Sequence, residues 1–317
     1  MASTTEKVVV DKSGNPLTNA FASAVRFVRY MTASPTARVA SFYELNDRRL
    51  SGTSAYRDVL GLNSLYVNYG WWEAGCADHD EACEALAEKL GEAAGIAEGD
   101  DVLDVGFGYA EQDFHWMRTR NPARIAGLNV TRSQVETGRR RAEEMKLSDR
   151  VDLRVGSATD VPFGPGSFDR VVALESACHF DTRQKFFEEA FRVLRPGGVL
   201  ATFDLVPRVL PPGRRTLLTR VDKWGRGRVI LECNWYPRSV YADKLRETGF
   251  TDVEVRDVSD RVLIPQALHS RKRLDAADIQ HLSRFQRRQM RAYATLIARR
   301  AIVQEYVLAV ARKPEDA

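Results

Sequence analysis

Two hydrophobic periods share this chain. Short, nearly continuous apolar runs at 101–105, 124–128, 151–155, 168–174 and 199–205 have the length and β-branched content of buried strands. Between them, stretches such as 133–145 and 182–193 space their apolar residues three and four apart, as helices do that bury one face. Strand and helix alternating in this way predict an α/β fold, with a doubly wound, mostly parallel sheet and helices on both faces. A helix over 239–248, a strand over 252–258 and a last strand over 302–310 complete a seven-stranded sheet. Pro196-Gly197-Gly198 reads as a turn from helix into strand.

The flanks read differently. Residues 1–20 are polar and expected to fray. Apolar residues recur at helical spacing from Ala20 to Leu50, interrupted at Ser34-Pro35, and an amphipathic helix follows over 78–94. Residues 259–300, between the last two strands, are rich in helix formers, and insertions of this size on such a scaffold usually carry function. The expected organisation is an N-terminal helical lid (1–98), a ligand-binding α/β core (99–258), a helical substrate-side insertion (259–300), and a last core strand with its tail (301–317).

Composition changes this picture little. Hydrophobic content of 44% and charged content of 28% are ordinary for a globular chain. A net charge of +4 over 317 residues is too small to imply a nucleic-acid partner. No apolar run approaches the ~20 residues of a membrane span, and the N-terminal residues hold no apolar signal core. Cys76, Cys83, Cys178 and Cys233 form no C-x-x-C pair or metal-ligand spacing, which fits a reducing cytoplasm. The expectation is a cytoplasmic protein with a small-molecule partner, no metal and no membrane span; a homodimer is compatible with it.

The chemistry centres on Val102-Leu103-Asp104-Val105-Gly106-Phe107-Gly108-Tyr109-Ala110. An apolar strand enters a tight turn whose glycines let the backbone turn sharply and approach a ligand. Asp104 stands where the strand ends, at the edge where open α/β sheets bind ligands. A dinucleotide loop has G-x-G-x-x-G spacing. Here the third small residue, Ala110, comes one position early, and Glu111 follows where a pyrophosphate needs a helix N-terminus free of negative charge. A cationic, phosphate-free cofactor suits this loop better. An NAD-dependent oxidoreductase is further disfavoured by the lack of a Y-x-x-x-K pair.

The loop resembles the D-x-G-x-G-x-G motif of class I S-adenosylmethionine-dependent methyltransferases, with Ala110 in place of the last glycine. The second strand ends Gly127-Leu128-Asn129-Val130-Thr131, the third is followed by Gly156-Ser157-Ala158, and the fourth by Glu175-Ser176-Ala177-Cys178-His179-Phe180. Together with Leu194-Arg195-Pro196-Gly197-Gly198, these extend the resemblance over 99–205. The Asn129 replacement, the Glu175–His179 run and an upstream Tyr69-Gly70-Trp71 make it closest to the sterol and tocopherol C-methyltransferase group.

The resemblance implies a Rossmann-like fold and S-adenosylmethionine as cofactor. It places Asp104, Gly106, Gly108, Asn129, Val130, Gln134, Ser157, Ala158 and Tyr69 around that cofactor. Asn129 would face the ribose through its amide oxygen, with Gln134 as a second polar contact. Ser157 stands where the family has an aspartate for the adenine amine, so that contact weakens or passes to Asp160. Glu175 and His179 would lie beside the transferred methyl, and the apolar surroundings of Glu175 suit a base.

For an alkene acceptor, such as an isoprenoid or prenyl diphosphate, methylation leaves a carbocation. Tyr69, Trp71, Trp72 and Phe180 are the candidate aromatic faces to stabilise it. For a hydroxyl acceptor on a polyketide, lipid or sugar, His179 is the better general base. The basic insertion, with Arg271-Lys272-Arg273, Arg284, Arg287, Arg288, Arg291, Arg299 and Arg300, reads as a solvated face, a clamp for an anionic group or a polyanion surface. A non-catalytic protein of the same fold, binding a partner through this insertion, is the alternative of another class.

Overall fold

Seven strands form one sheet: β1 (Asp101–Val105), β2 (Arg124–Asn129), β3 (Val151–Val155), β4 (Phe168–Leu174), β5 (Leu194–Pro207), β6 (Thr251–Asp257) and β7 (Gln304–Arg312), in the order β3-β2-β1-β4-β5-β7-β6. The structure is a computed structural model and describes residues 34–50, 63–73, 76–210, 230–275 and 283–317. For 45–50 and parts of 285–300 it describes the backbone alone. Residues 20–33, the first part of the expected N-terminal helical stretch, lie outside the described residues.

Strands β1 to β5 pair in parallel, and β7 runs antiparallel between β5 and β6. The chain order reverses beside β1, whose neighbours are β2 and β4. A crevice opens at the carboxyl ends of strands at such a point, and that is where this fold binds ligands.

The described helices are α1 (Pro35–Leu50), α2 (His79–Ala94), α3 (Glu111–Thr119), α4 (Arg132–Glu144), α5 (Arg183–Val193), α6 (Arg238–Thr248), α7 (Leu263–Arg273) and α8 (Arg284–Val303). Their ends follow from local chemistry. Asp78 caps α2 by accepting from the Glu81 N–H at 3.0 Å, and Gly95 ends it in the left-handed conformation. Thr182 caps α5 by accepting from the Lys185 N–H at 3.2 Å.

Adjacent strand residues point to opposite faces. Val102 and Ile125 meet Leu86 and Leu90 of α2, Trp116 of α3 and Val135 of α4. Leu103 and Ala126 meet Phe186 and Phe187 of α5 and Tyr241 of α6.

β1, β3 and β4 match the sequence reading to the residue, β2 and β6 differ from it by a single residue at their ends, and β5 and β7 differ for reasons the structure shows. Pro196-Gly197-Gly198 is not a free turn: β5 begins at Leu194 and runs through it, with Gly197 at φ +75° and a register shift opposite Phe168 and Arg170. The C-terminal segment holds it there, Lys313 exchanging backbone hydrogen bonds with Gly197 and Gly198 at 2.9 Å. β7 begins at Gln304 rather than 302, because the helical period of α8 carries through to Val303. The basic insertion folds, where described, as the pair α7 and α8.

Candidate active site

The loop after β1 is held open by its own backbone. Gly106 (φ +81°) and Gly108 (φ +59°) are both left-handed. A Cβ on Gly106 would lie 2.3 Å from the Cβ of Ser176, so only glycine fits between β1 and β4 there. Ser176 completes the contact by donating its hydroxyl to the Val105 carbonyl at 2.6 Å. Ala110 begins α3 at φ +65°, a conformation uncommon for a residue with a Cβ. Glu111 is held by its neighbours: its Oε1 accepts from the Leu65 N–H at 2.8 Å and pairs with Arg141 at 3.0 Å.

A cleft opens over this loop, with about 730 Å³ of space unfilled by atoms, part of it open to solvent. Gly106 and Gly108 line it, with Leu128, Asn129, Val130 and Gln134 from β2 and α4, and Ser157 and Ala158 after β3. Asn129 is braced. Its Nδ2 donates to the Gly108 carbonyl at 3.2 Å and to Gln134 Oε1 at 2.9 Å, and its Oδ1 accepts from the Thr131 N–H at 3.1 Å. An amide oxygen keeps a second lone pair for a ribose hydroxyl. Ser157 Oγ bonds to Thr159, at 2.9 Å to Oγ1 and 3.2 Å to the N–H, while Asp160 is exposed and off the wall.

The far side carries Glu175 and His179. Glu175, in the left-handed conformation (φ +54°), ends β4, and a single 3-10 turn (Ala177–His179) presents His179. Glu175 Oε1 accepts from the Tyr69 N–H at 2.8 Å and the Tyr306 hydroxyl at 2.7 Å, which ties β4, β7 and the N-terminal segment together. His179 Nε2 lies 3.2 Å from the hydroxyl of Tyr43 on α1, and Thr36, Val39 and Tyr43 of that helix close this side of the cleft. Tyr43 escapes sequence reading; its only signal there is the i, i+4 spacing of Val39 and Tyr43. Phe180 and Asp181 complete the wall.

Four residues expected at the site lie elsewhere. Asp104 is fully buried beneath the glycine loop, where it accepts from Gln112 Nε2 at 3.0 Å, and Gln112 also donates to the Phe107 carbonyl. Beside it lies Asp113, equally buried, whose carboxyl oxygens meet no donor. Burial pushes Asp104 up to about 7, and burial together with the Asp104 charge pushes Asp113 well above the carboxylate range. Two buried carboxyls side by side thus favour a form with a proton between them. The ring of Tyr69 packs edge-on to Tyr306, Trp71 lies on Phe203, and Trp72 stacks on His79 and meets His269 of α7. These three aromatic residues brace the N-terminal segment against the core and α7 instead of lining the cleft.

The wall bears two carboxylates, Glu175 and Asp181, and no lysine or arginine among the described residues. A pyrophosphate would meet no counter-charge here, whereas a sulfonium cofactor with an apolar base and two ribose hydroxyls fits the donors, acceptors and charge present.

The comparisons with known proteins agree. Residues 103–202 match the methyltransferase domain family. The chain is 50% identical over 204 residues to erythromycin 3''-O-methyltransferase of Saccharopolyspora erythraea, a match covering 63% of this chain and 66% of that enzyme, just under two thirds of its length. It is 32% identical over 269 residues to 27-O-demethylrifamycin SV methyltransferase of Amycolatopsis mediterranei, covering 83% of this chain and 96% of that one. The crystal structure of the [4+2]-cyclase SpnF superposes with a TM-score of 0.67 at 26% identity, covering 89% and 98% of the two chains. The matched domain and the near-complete alignment with the rifamycin methyltransferase lead to one conclusion: this chain belongs to the S-adenosylmethionine-dependent methyltransferases.

Proposed function

We propose that the protein methylates a hydroxyl group of a macrocyclic polyketide or of a sugar attached to one, with His179 as general base. The observation that carries this reading is His179 Nε2 on the acceptor wall, 3.2 Å from a hydroxyl, that of Tyr43. An acceptor hydroxyl that takes the place of the Tyr43 hydroxyl can hand its proton to that nitrogen. Bound S-adenosylmethionine supplies an already electrophilic methyl, and the chain's own task is to align the acceptor oxygen and remove its proton. Gly106, Gly108, Asn129, Val130, Gln134, Ser157 and Ala158 hold the cofactor in this reading, and Asp104 acts through the loop above it.

Two similar enzymes carry O-methylation in their names, and the cleft argues in the same direction. Isoprenoid C-methylation needs aromatic faces around a carbocation. Among the described residues only Phe180 and Tyr43 put rings on the wall, since Tyr69, Trp71 and Trp72 do not line it. A diphosphate acceptor needs cations, and the described wall has none.

The test is incubation with S-adenosylmethionine and, separately, 3''-O-demethylerythromycin, 27-O-demethylrifamycin SV and geranyl diphosphate, read by mass spectrometry. A methylated hydroxyl on either polyketide supports the reading. Methylation of geranyl diphosphate alone overturns it in favour of C-methylation.

A further inference from the structure

His179 sits on a loop that three buried polar residues grip from behind. Arg183 at the start of α5, Asp204 on β5 and Asn234 in the short 3-10 turn Glu232–Asn234 are each 0% exposed. Asn234 Nδ2 donates to the Cys178 carbonyl at 3.2 Å and to the Phe180 carbonyl at 2.6 Å, so one amide holds the residues on both sides of His179. Asp204 Oδ1 accepts from the Cys178 N–H at 3.1 Å. Arg183 joins the other two. Its Nη1 donates to the Asn234 carbonyl at 2.7 Å, its N–H donates to Asn234 Oδ1 at 2.8 Å, and its Nε lies 2.9 Å from Asp204 Oδ2. That last approach is a charge contact, too far off line to be a hydrogen bond. The guanidinium also stacks over Tyr236 and Tyr241, at 4.9 and 4.8 Å from their centroids.

Burying two charges and an amide costs desolvation, and apolar residues of similar volume usually serve stability as well or better. A closed polar network gives in return one backbone geometry, because each alternative leaves a buried group unpaired. Here the geometry fixed is that of residues 178–180, and His179, between the two held carbonyls, lines the cleft.

We propose that Asn234, Arg183 and Asp204 are positioning residues for methyl transfer, fixing the backbone on either side of His179 and so aiming its imidazole into the cleft. The proposal rests on the reading of His179 as the base. None of the three lines the cleft, so their effect on the reaction passes through His179.

The test has two arms. The first needs no acceptor. Side-chain NMR of the five histidines, with His179→Gln assigning the signal of interest, compares the native chain with Asn234→Ala in the presence of S-adenosylhomocysteine. The His179 resonance shifts and broadens, the His115 resonance stays in place, and affinity for S-adenosylhomocysteine stays within about twofold, since binding groups outside the network are untouched. Should Asn234→Ala fail to fold, Asn234→Asp removes the same two donated bonds at constant volume. An unchanged His179 resonance overturns the proposal.

The second arm uses whichever probe above is methylated. Asn234→Ala lowers kcat about 10- to 100-fold, as loss of a supporting contact does, with the cofactor KM within about twofold. In a His179→Gln background the drop disappears. An equal drop in both backgrounds means a merely structural role and overturns the proposal. Full kcat in His179→Gln alone would instead overturn the base assignment, and the NMR arm would still decide the brace.

Discussion

Asparagine at position 113 should flatten the pH dependence of stability. Asp104 and Asp113 are both fully buried, and Asp113 meets no donor, so the folded chain can hold the pair only with a proton between them. In the unfolded chain both carboxyls titrate near 3.9. Burial raises both in the folded chain, Asp104 to about 7 and, with the Asp104 charge added, Asp113 well above the carboxylate range. The folded state thus binds more protons than the unfolded state between these values, and stability from the pair is full below the unfolded value and falls as pH rises. Each retained proton gives a slope of about 1.4 kcal/mol per pH unit. From pH 5 to 7 a single retained proton accounts for a loss of about 3 kcal/mol, roughly 6 °C in Tm at ~2 °C per kcal/mol. Asp113→Asn replaces the O–H by an amide N–H that still donates to Asp104, and it has no proton to lose. Urea denaturation followed by circular dichroism at pH 5, 6, 7 and 8 should show the native curve falling more steeply than that of the variant, by about 1.4 kcal/mol per unit. The variant should be the more stable protein at pH 8. Parallel curves would refute the shared proton.

Four other outcomes follow from the geometry. Gly106→Ala forces a Cβ to 2.3 Å from the Cβ of Ser176 at positive φ and should cost about 2–4 kcal/mol in urea denaturation; Ser176→Gly in the same chain should recover part of it. Glu175→Gln keeps an oxygen for the Tyr69 N–H and the Tyr306 hydroxyl, so S-adenosylhomocysteine affinity by calorimetry should change less than about threefold, while turnover falls; full activity removes Glu175 from the mechanism. Tyr43→Phe takes the hydroxyl from His179 Nε2 and should lower kcat less than about tenfold, because the acceptor itself takes that place; a loss beyond the 10²-fold floor of acid–base catalysis would make Tyr43 a proton carrier. Saturating S-adenosylhomocysteine at a hundred times its Kd adds about 2.7 kcal/mol and should raise Tm by several degrees, whereas NAD should leave it unmoved.

The cofactor half was legible because its signals are local. Hydrophobic period located β1, β3 and β4 to the residue, and the glycines at 106 and 108 take the left-handed conformations that their spacing implied. The rest depends on where distant parts of the chain meet. Tyr69, Trp71 and Trp72 read as a substrate wall, but Tyr306, Phe203 and His269 turn them toward the core and α7. Asp104 reads as a ligand contact, and only its meeting with Asp113 makes it half of a buried pair. Tyr43 reaches His179 across 136 residues, and Asn234 reaches Cys178 across 56. No period or motif in the chain announces either contact.

This division has a functional consequence. The loops that follow β1, β2 and β3 and line one side of the cleft lie inside the matched methyltransferase domain, 103–202. The acceptor side is built differently. Thr36, Val39 and Tyr43 come from α1, upstream of that domain, and the loop that presents His179 is held by Asp204 and Asn234, downstream of it. In the reading of His179 as the base, substitutions on α1, which packs against α4, would reshape the wall around Tyr43, and substitutions around 234 would re-aim the imidazole from behind.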